Sequence, residues 1–510
     1  MTLLGSLLLA AFLAHTQADQ GPEVCIQNGT LRGQYITVLG TEKVVQQYLG
    51  IPFALAPVGP LRLRPPQPPK SWEGIRDATQ QPPLLKLVWN FSIPDMSEDC
   101  LYLNVYTPSN RSASERLPVM VWIHGGALVA GGAALTDGSP LAAYQNVVVV
   151  VIQYRLGILG FFSTGDEHAK GNWGFLDQIA ALQWVQENIE SFGGDPKSVT
   201  IFGVSAGAVS VSMLILSPLS SGLFHKAIVQ SGVACLHIFS SSRLRDLAQV
   251  PCDCCHSISE YPLSFIYHFS TALLTVDGDF MKEPVEEILK SKAFQKIPIV
   301  LGVTNHEAGW MLSVSLAPPG WEKGMDKQTV MSIMNRLIPA GLLVDEYLRD
   351  AKTPEDVRDA FTEIIGDVMV IFPSLVVALH HRGAGLPVYL YEFQHVPLLF
   401  KGRRPNFVRS DHGDEVSFVF GAAFWNGHIK ANKEGELSKK MMAYWANFAR
   451  TGSPNGPGLT LWPEYGKSEE YLKLALEQTV GSKLKQQKFH FISVTLPKKL
   501  AEMQAASTNP

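Results

Sequence analysis

Ser198-Val199-Thr200-Ile201-Phe202-Gly203-Val204-Ser205-Ala206-Gly207 changes character halfway along. Its first half is short, apolar and β-branched, the pattern of a buried strand, and from Ala206 to about Leu216 the chain reads as a helix. Gly203-Val204-Ser205-Ala206-Gly207 at the junction is a Gly-x-Ser-x-Gly pattern, and the strand-to-helix context is what makes it informative. Such a turn is so tight that the residues flanking the serine must be small. The hydroxyl is then exposed above the sheet with a helix N-terminus beneath it. Gly203, Ala206 and Gly207 meet that requirement; the bland alternative is a glycine-rich turn with an incidental serine.

The flanking segments repeat the strand and helix alternation. Residues 117–123 and 147–153 read as buried strands, short and β-rich. Between 177 and 190 the apolar residues Ile179, Leu182, Val185 and Ile189 fall at helical spacing, and Gly193-Gly194-Asp195-Pro196 is expected to stop that helix. Strand, crossover helix and strand in succession predict an α/β fold with a mostly parallel sheet flanked by helices. Further strands are expected at 297–303 and 386–394, and helical excursions over the active-site edge at about 305–380 and 425–450. Residues 439–450 are the clearest of these. No repeat period or polar linker divides the chain, which predicts one continuous domain over 19–510.

A tetrahedral intermediate needs amide donors on backbone that can approach closely. His124-Gly125-Gly126-Ala127 directly follows the strand at 117–123 and supplies such a loop, with the amides of Gly126, Ala127 and Ala206 as candidate donors. His124 could itself be a base, but its place in this loop favours a structural role. In folds of this kind the order is serine, acid, histidine. Glu307 stands just past the strand at 297–303 and is the candidate acid, while His412, in Asp411-His412-Gly413-Asp414-Glu415, is the candidate base. From spacing alone His306, His395 and Asp277 remain rivals.

The 510 residues are 46% apolar and 17% charged, with 42 Lys and Arg against 46 Asp and Glu, a net charge of −4. No basic stripe stands out, so a nucleic-acid partner is not expected. Residues 1–18 read as a signal peptide, apolar and too short to span a bilayer, and no later run reaches membrane-spanning length. Asn28, Asn90 and Asn110 head Asn-x-Ser/Thr sequons, which fits a secretory chain. The C-terminus lacks a KDEL-like tetrapeptide, so secretion is expected, with the endoplasmic reticulum lumen as the alternative. Six cysteines are present, three of them crowded into Cys252-Asp253-Cys254-Cys255-His256, a spacing that suits neither an orderly disulfide framework nor a zinc site.

Together these residues resemble the type-B carboxylesterase and cholinesterase family. The likeness lies in the segment 192–207, in Glu98-Asp99-Cys100-Leu101-Tyr102-Leu103-Asn104, in 47–55, 154–178 and 411–415, and in the run from Tyr444 to Gly456. It extends over about 23–495 and is greatest to the cocaine-esterase subgroup. The resemblance implies an α/β-hydrolase fold and cofactor-free hydrolysis of esters, amides or thioesters. It also implies Ser205 as nucleophile, Glu307 as acid, His412 as base, and Gly126, Ala127 and Ala206 as oxyanion donors. Small-molecule esters are the implied substrates; no metal or other cofactor is, and the oligomeric state is left open.

Three departures stand out. Val204 occupies the position where the family usually has glutamate. The segment beginning at Pro82 is shortened and lacks the cysteine that the family pairs with the counterpart of Cys100. Residues 240–270 are shorter than the family's helical stretch there, and a chain short of packed helices and a disulfide is expected to express poorly. The alternative function is therefore a catalytically impaired or silent cholinesterase-like binding protein; against it stand Ser205, Glu307 and His412, all present and in order.

Overall fold

The computed structural model describes residues 21–82, 97–112, 114–235, 275–337, 341–424 and 433–508. The expected leader at 1–18, the sequon at Asn90, the cysteine cluster at 252–255 and the stretches 84–96 and 240–270 expected to be shortened lie outside these residues. Fourteen strands are described, numbered in chain order. Three of them, β1 (Glu23–Ile26), β2 (Gly29–Arg32) and β5 (Ile75–Asp77), form a small separate sheet.

The main sheet has eleven strands. From one edge to the other they are β14 (Thr479–Ser482), β13 (Glu470–Leu474), β12 (Val388–Phe393), β11 (Ile299–Thr304), β10 (Lys226–Gln230), β9 (Gly194–Val204), β7 (Leu117–Ile123), β8 (Val148–Ile152), β6 (Tyr102–Pro108), β4 (Val44–Pro52) and β3 (Gln34–Thr37). Every pairing from β8 across to β13 is parallel, and antiparallel strands close both edges. This is the mostly parallel α/β sheet that the strand and helix alternation predicts, and the α/β-hydrolase fold that the resemblance implies.

Because strand side chains alternate between faces, one central strand feeds two cores. Val119, Val121 and Ile123 of β7 join Val199 and Ile201 of β9 and Val148 and Val150 of β8 on one face. Four helices cover that face: α1 (Trp173–Asn188), α2 (Ala206–Leu216), α3 (Pro354–Gly366) and α4 (Phe372–Gly383). Met120 and Trp122 point the other way with Phe202, into a core closed by Leu437, Met441 and Trp445 of α5 (Lys433–Thr451). Burial on both faces is why β8 reads Val-Val-Val-Val-Ile with no polar alternation.

Two boundaries differ from expectation. Helix α1 begins at Trp173, four residues early, behind Asn172 in a left-handed conformation (φ 60°). Gly194-Asp195-Pro196 do not form a separate stop: Gly193 ends the helical stretch at φ 81°, and Gly194 already pairs with Leu117 in the sheet. Tertiary pairing overrides the local turn signal there.

Among the described residues one helical run, Pro354–Gly383, is long and apolar enough to cross a membrane by length and composition. It is α3 and α4 joined by a π turn at Asp367–Ile371, and 67% of its most apolar window is buried against the sheet. A core helix accounts for that hydropathy. Among the described residues Cys25, Cys100 and Cys235 carry free thiols, and Cys100 is buried.

Candidate active site

Strand order reverses at β7, which pairs with β8 on one side and β9 on the other, so loops leaving β7 and β9 open a crevice at the sheet's C-terminal edge. Ser205 stands at the tip of β9 with φ 56° and ψ −126°, and α2 starts at the next residue. A β-carbon added at Gly207 would lie 2.1 Å from the carbonyl oxygen of Ile123, and one at Gly203 would lie 2.6 Å from the same oxygen. The small residues of the motif are thus required by the approach of β7's backbone. The Ser205 N–H is spent on the carbonyl of Gln230, which fixes the strained turn.

The loop after β7 closes over this turn. Gly125 packs with its β-carbon position 3.2 Å from Cβ of Ser205. Gly126 at φ 111° and Ala127 at φ 55° both occupy the left-handed half of backbone space, where alanine pays about 1–2 kcal/mol that glycine does not. The N–H groups of Gly126, Ala127 and Ala206 donate to no carbonyl within the described loops and turns, which leaves them available to a ligand. His124 holds the loop from behind: its ring stacks on Tyr154 at 4.5 Å, and the Tyr154 hydroxyl donates to the His124 carbonyl. Burial pushes its imidazole down to about 4, so it is neutral.

Glu307 and His412, 105 positions apart, meet at the same edge. Oε2 of Glu307 lies 2.7 Å from Nδ1 of His412, and both side chains are buried. The other carboxylate oxygen accepts from the Thr304 N–H at 2.6 Å and from the Ser231 hydroxyl at 2.7 Å. The carboxylate is therefore aimed and held by three donors. Burial disfavours the His412 imidazolium, but the hydrogen bond and charge of Glu307, with Asp411 and Glu415 adding to them, outweigh it and raise the pKa above 6.5. Nε2 of His412 is buried and makes no hydrogen bond within the protein, with Ser205 or any other described residue.

The rivals have other partners. His395 bonds Glu434 at 2.6 Å. Asp277 accepts from Asn172 and from the N–H groups of Asp279 and Met281. His306 bridges Thr362 and the Arg409 N–H.

Two contributors escaped the sequence reading. Ser231, on the left-handed turn ending β10 (φ 56°), is one; a small polar residue between a strand end and Gly232 was its only signal. Glu415 is the other in its buried role, since Oε1 accepts from Gln230 and Tyr391, and Gln230 accepts in turn from the Trp445 indole. Burial, and then the charge of Glu307, push its carboxyl up to about 7. Among the described residues no group of three or more His, Cys, Asp or Glu could hold a metal ion.

An α/β-hydrolase sheet with a serine on a tight positive-φ turn, a buried histidine and carboxylate pair, and unspent amides beside them defines a serine hydrolase. Comparison with known proteins gives the family. The carboxylesterase family model matches residues 20–492. Carboxylesterase 5A of Canis lupus familiaris is 46% identical over 97% of this chain and 93% of its own length. Cocaine esterase of Homo sapiens is 44% identical over 98% and 96%, and the medium-chain fatty acyl-CoA hydrolase precursor of Anas platyrhynchos is 44% identical over 96% of both. The chain belongs to the carboxylesterase family and is a carboxylic ester hydrolase.

Proposed function

We propose that Ser205, His412 and Glu307 form the catalytic triad. The observation that carries this reading is the 2.7 Å Glu307–His412 contact beside the left-handed Ser205 turn. Ser205 Oγ attacks the acyl carbonyl carbon while its proton passes to Nε2 of His412. The oxyanion takes hydrogen bonds from Gly126, Ala127 and Ala206; the alcohol then leaves with the proton from His412. Water, deprotonated by His412, releases the acid and regenerates Ser205. Every step uses side chains and amides of this chain, with no cofactor.

Substrates are small esters with apolar acyl and alcohol parts; the name of the duck relative adds medium-chain thioesters to that range. Nothing in the described site favours the impaired alternative. The test is a fluorophosphonate probe on purified protein: labelling that disappears in Ser205→Ala supports the triad, and no labelling of folded protein overturns it.

The same reading has residues 1–18 removed as a leader and a single domain secreted as a glycoprotein. Asn110 supports this, being exposed in a surface turn. Asn28 is half-buried, and its side-chain amide already donates to the Pro69 carbonyl. Glycan is expected at Asn110 in preference to Asn28, read as the mobility shift lost in Asn110→Gln.

A further inference from the structure

Besides the Glu307–His412 contact itself, the loops carrying these residues are stitched to each other by four hydrogen bonds. The Ser410 N–H donates to Oδ1 of Asn305 at 3.1 Å, and the Arg409 N–H donates to Nδ1 of His306 at 3.1 Å. In the reverse direction the Trp310 and Met311 N–H groups donate to the Asp411 carboxylate at 3.0 and 2.9 Å. Every stitch lies within four residues of Glu307 and three of His412. The register between acid and base is thus supported, beyond their own bond, by the side chains of Asn305, His306 and Asp411.

His306 is the unusual stitch, because it also reaches a third element. Its Nε2 lies 2.9 Å from Oγ1 of Thr362 on α3, and the Thr362 hydroxyl donates its own proton to the Asp359 carbonyl at 2.8 Å. Thr362 can therefore only accept from the ring, and Arg409 can only donate to it. The two partners fix one neutral tautomer, with the proton on Nε2. The ring is 6% exposed, and a β-carbon at Gly309 would lie 2.6 Å from its Nδ1, so little room is left for another rotamer. Arg409, Glu363, Lys485 and Arg358 are the charged groups that act on it; burial first, then the Arg409 charge, push it down to about 4.

We infer that His306 is a positioning residue for the hydrolysis: a neutral imidazole that accepts the Arg409 N–H and so holds the His412 loop in register with Glu307. This rests on the triad reading above. Misplacing a general base by a fraction of an ångström lowers kcat while leaving substrate binding intact, because the Ser205 turn and the amide loop are built on other strands.

Side-chain isosteres separate this role from simple space filling. The Oδ1 of an asparagine reaches the place of Nδ1, whereas a glutamine amide reaches the place of Nε2. His306→Asn should therefore keep the Arg409 bond and His306→Gln should lose it while keeping Thr362. On p-nitrophenyl butyrate, His306→Gln is expected to lower kcat about tenfold with KM changed less than about twofold, and to move the acidic limb of the pH profile downward as the Glu307 contact loosens. His306→Asn should restore both to near the parent values.

Equal kinetics in the two variants, whether both intact or both impaired, would overturn the inference. Should His306→Gln not yield folded protein, Asn305→Ala breaks the adjacent stitch from Ser410. It is expected to show the same loss confined to kcat, and an unchanged kcat would overturn the idea. Ser205→Ala and His412→Ala, measured alongside, report on the triad reading separately: retention of activity in either sinks that reading whatever the His306 pair shows.

Discussion

His412 Nδ1 and Glu307 Oε2 lie 2.7 Å apart, and both side chains are buried. A charged hydrogen bond in such surroundings favours the imidazolium, the form that the proposed triad requires of His412 in the transition state.

The pH profile follows from the sign of that shift. Raised above its ordinary value, the folded-state pKa keeps His412 protonated to higher pH, and in the proposed triad only the neutral ring can accept the Ser205 proton. kcat/KM should fall on the acid side with a midpoint above 6.5, and a flat profile would contradict a histidine base. Glu307→Gln should move that limb down and lower kcat by about three to four orders of magnitude. The effect on stability runs the other way: the interaction contributes fully below the unfolded value and is lost as pH rises through the folded one.

Ser231 touches no substrate in this scheme, yet its hydroxyl is one of two donors on the back oxygen of Glu307. A hydrogen bond to a buried carboxylate contributes about 1.5–3 kcal/mol. Ser231→Ala should lower kcat by about tenfold or more with KM little changed. Unaltered single-turnover acylation in that variant would show that the Thr304 amide alone suffices.

Val204 is half-buried, 4.0 Å from the β-carbon position of Gly413 in the His412 loop. A carboxylate there would add to the field that favours the His412 imidazolium, so Val204→Glu should raise turnover and shift the acidic limb upward. Unchanged kinetics on a simple aryl ester would count against it.

Arg155 and Asp177 form a buried bidentate pair, both contacts 2.7 Å, tying the loop after β8 to the first turns of α1. Arg155→Met leaves the carboxylate buried without its partner and should cost about 3–5 kcal/mol, read as a lower urea midpoint. Adding Asp177→Leu should recover most of that loss.

The strand and helix alternation, Gly-x-Ser-x-Gly and the order of Ser205, Glu307 and His412 are all present in the chain as written. Those features depend on local periodicity and on the small residues a tight turn demands, and local constraints are legible in one dimension. The structure gave His306, His395 and Asp277 their partners, which spacing left open. It also showed Ser231 behind Glu307, Glu415 held by Gln230 and Tyr391, and the four stitches between the acid and base loops. Nearly all of these contacts join residues tens of positions or more apart, at distances set by how the strands register and how two cores fill. A hydrogen bond of 2.7 Å across 105 residues has no local signature, because it exists only once burial and backbone pairing have brought its two ends together.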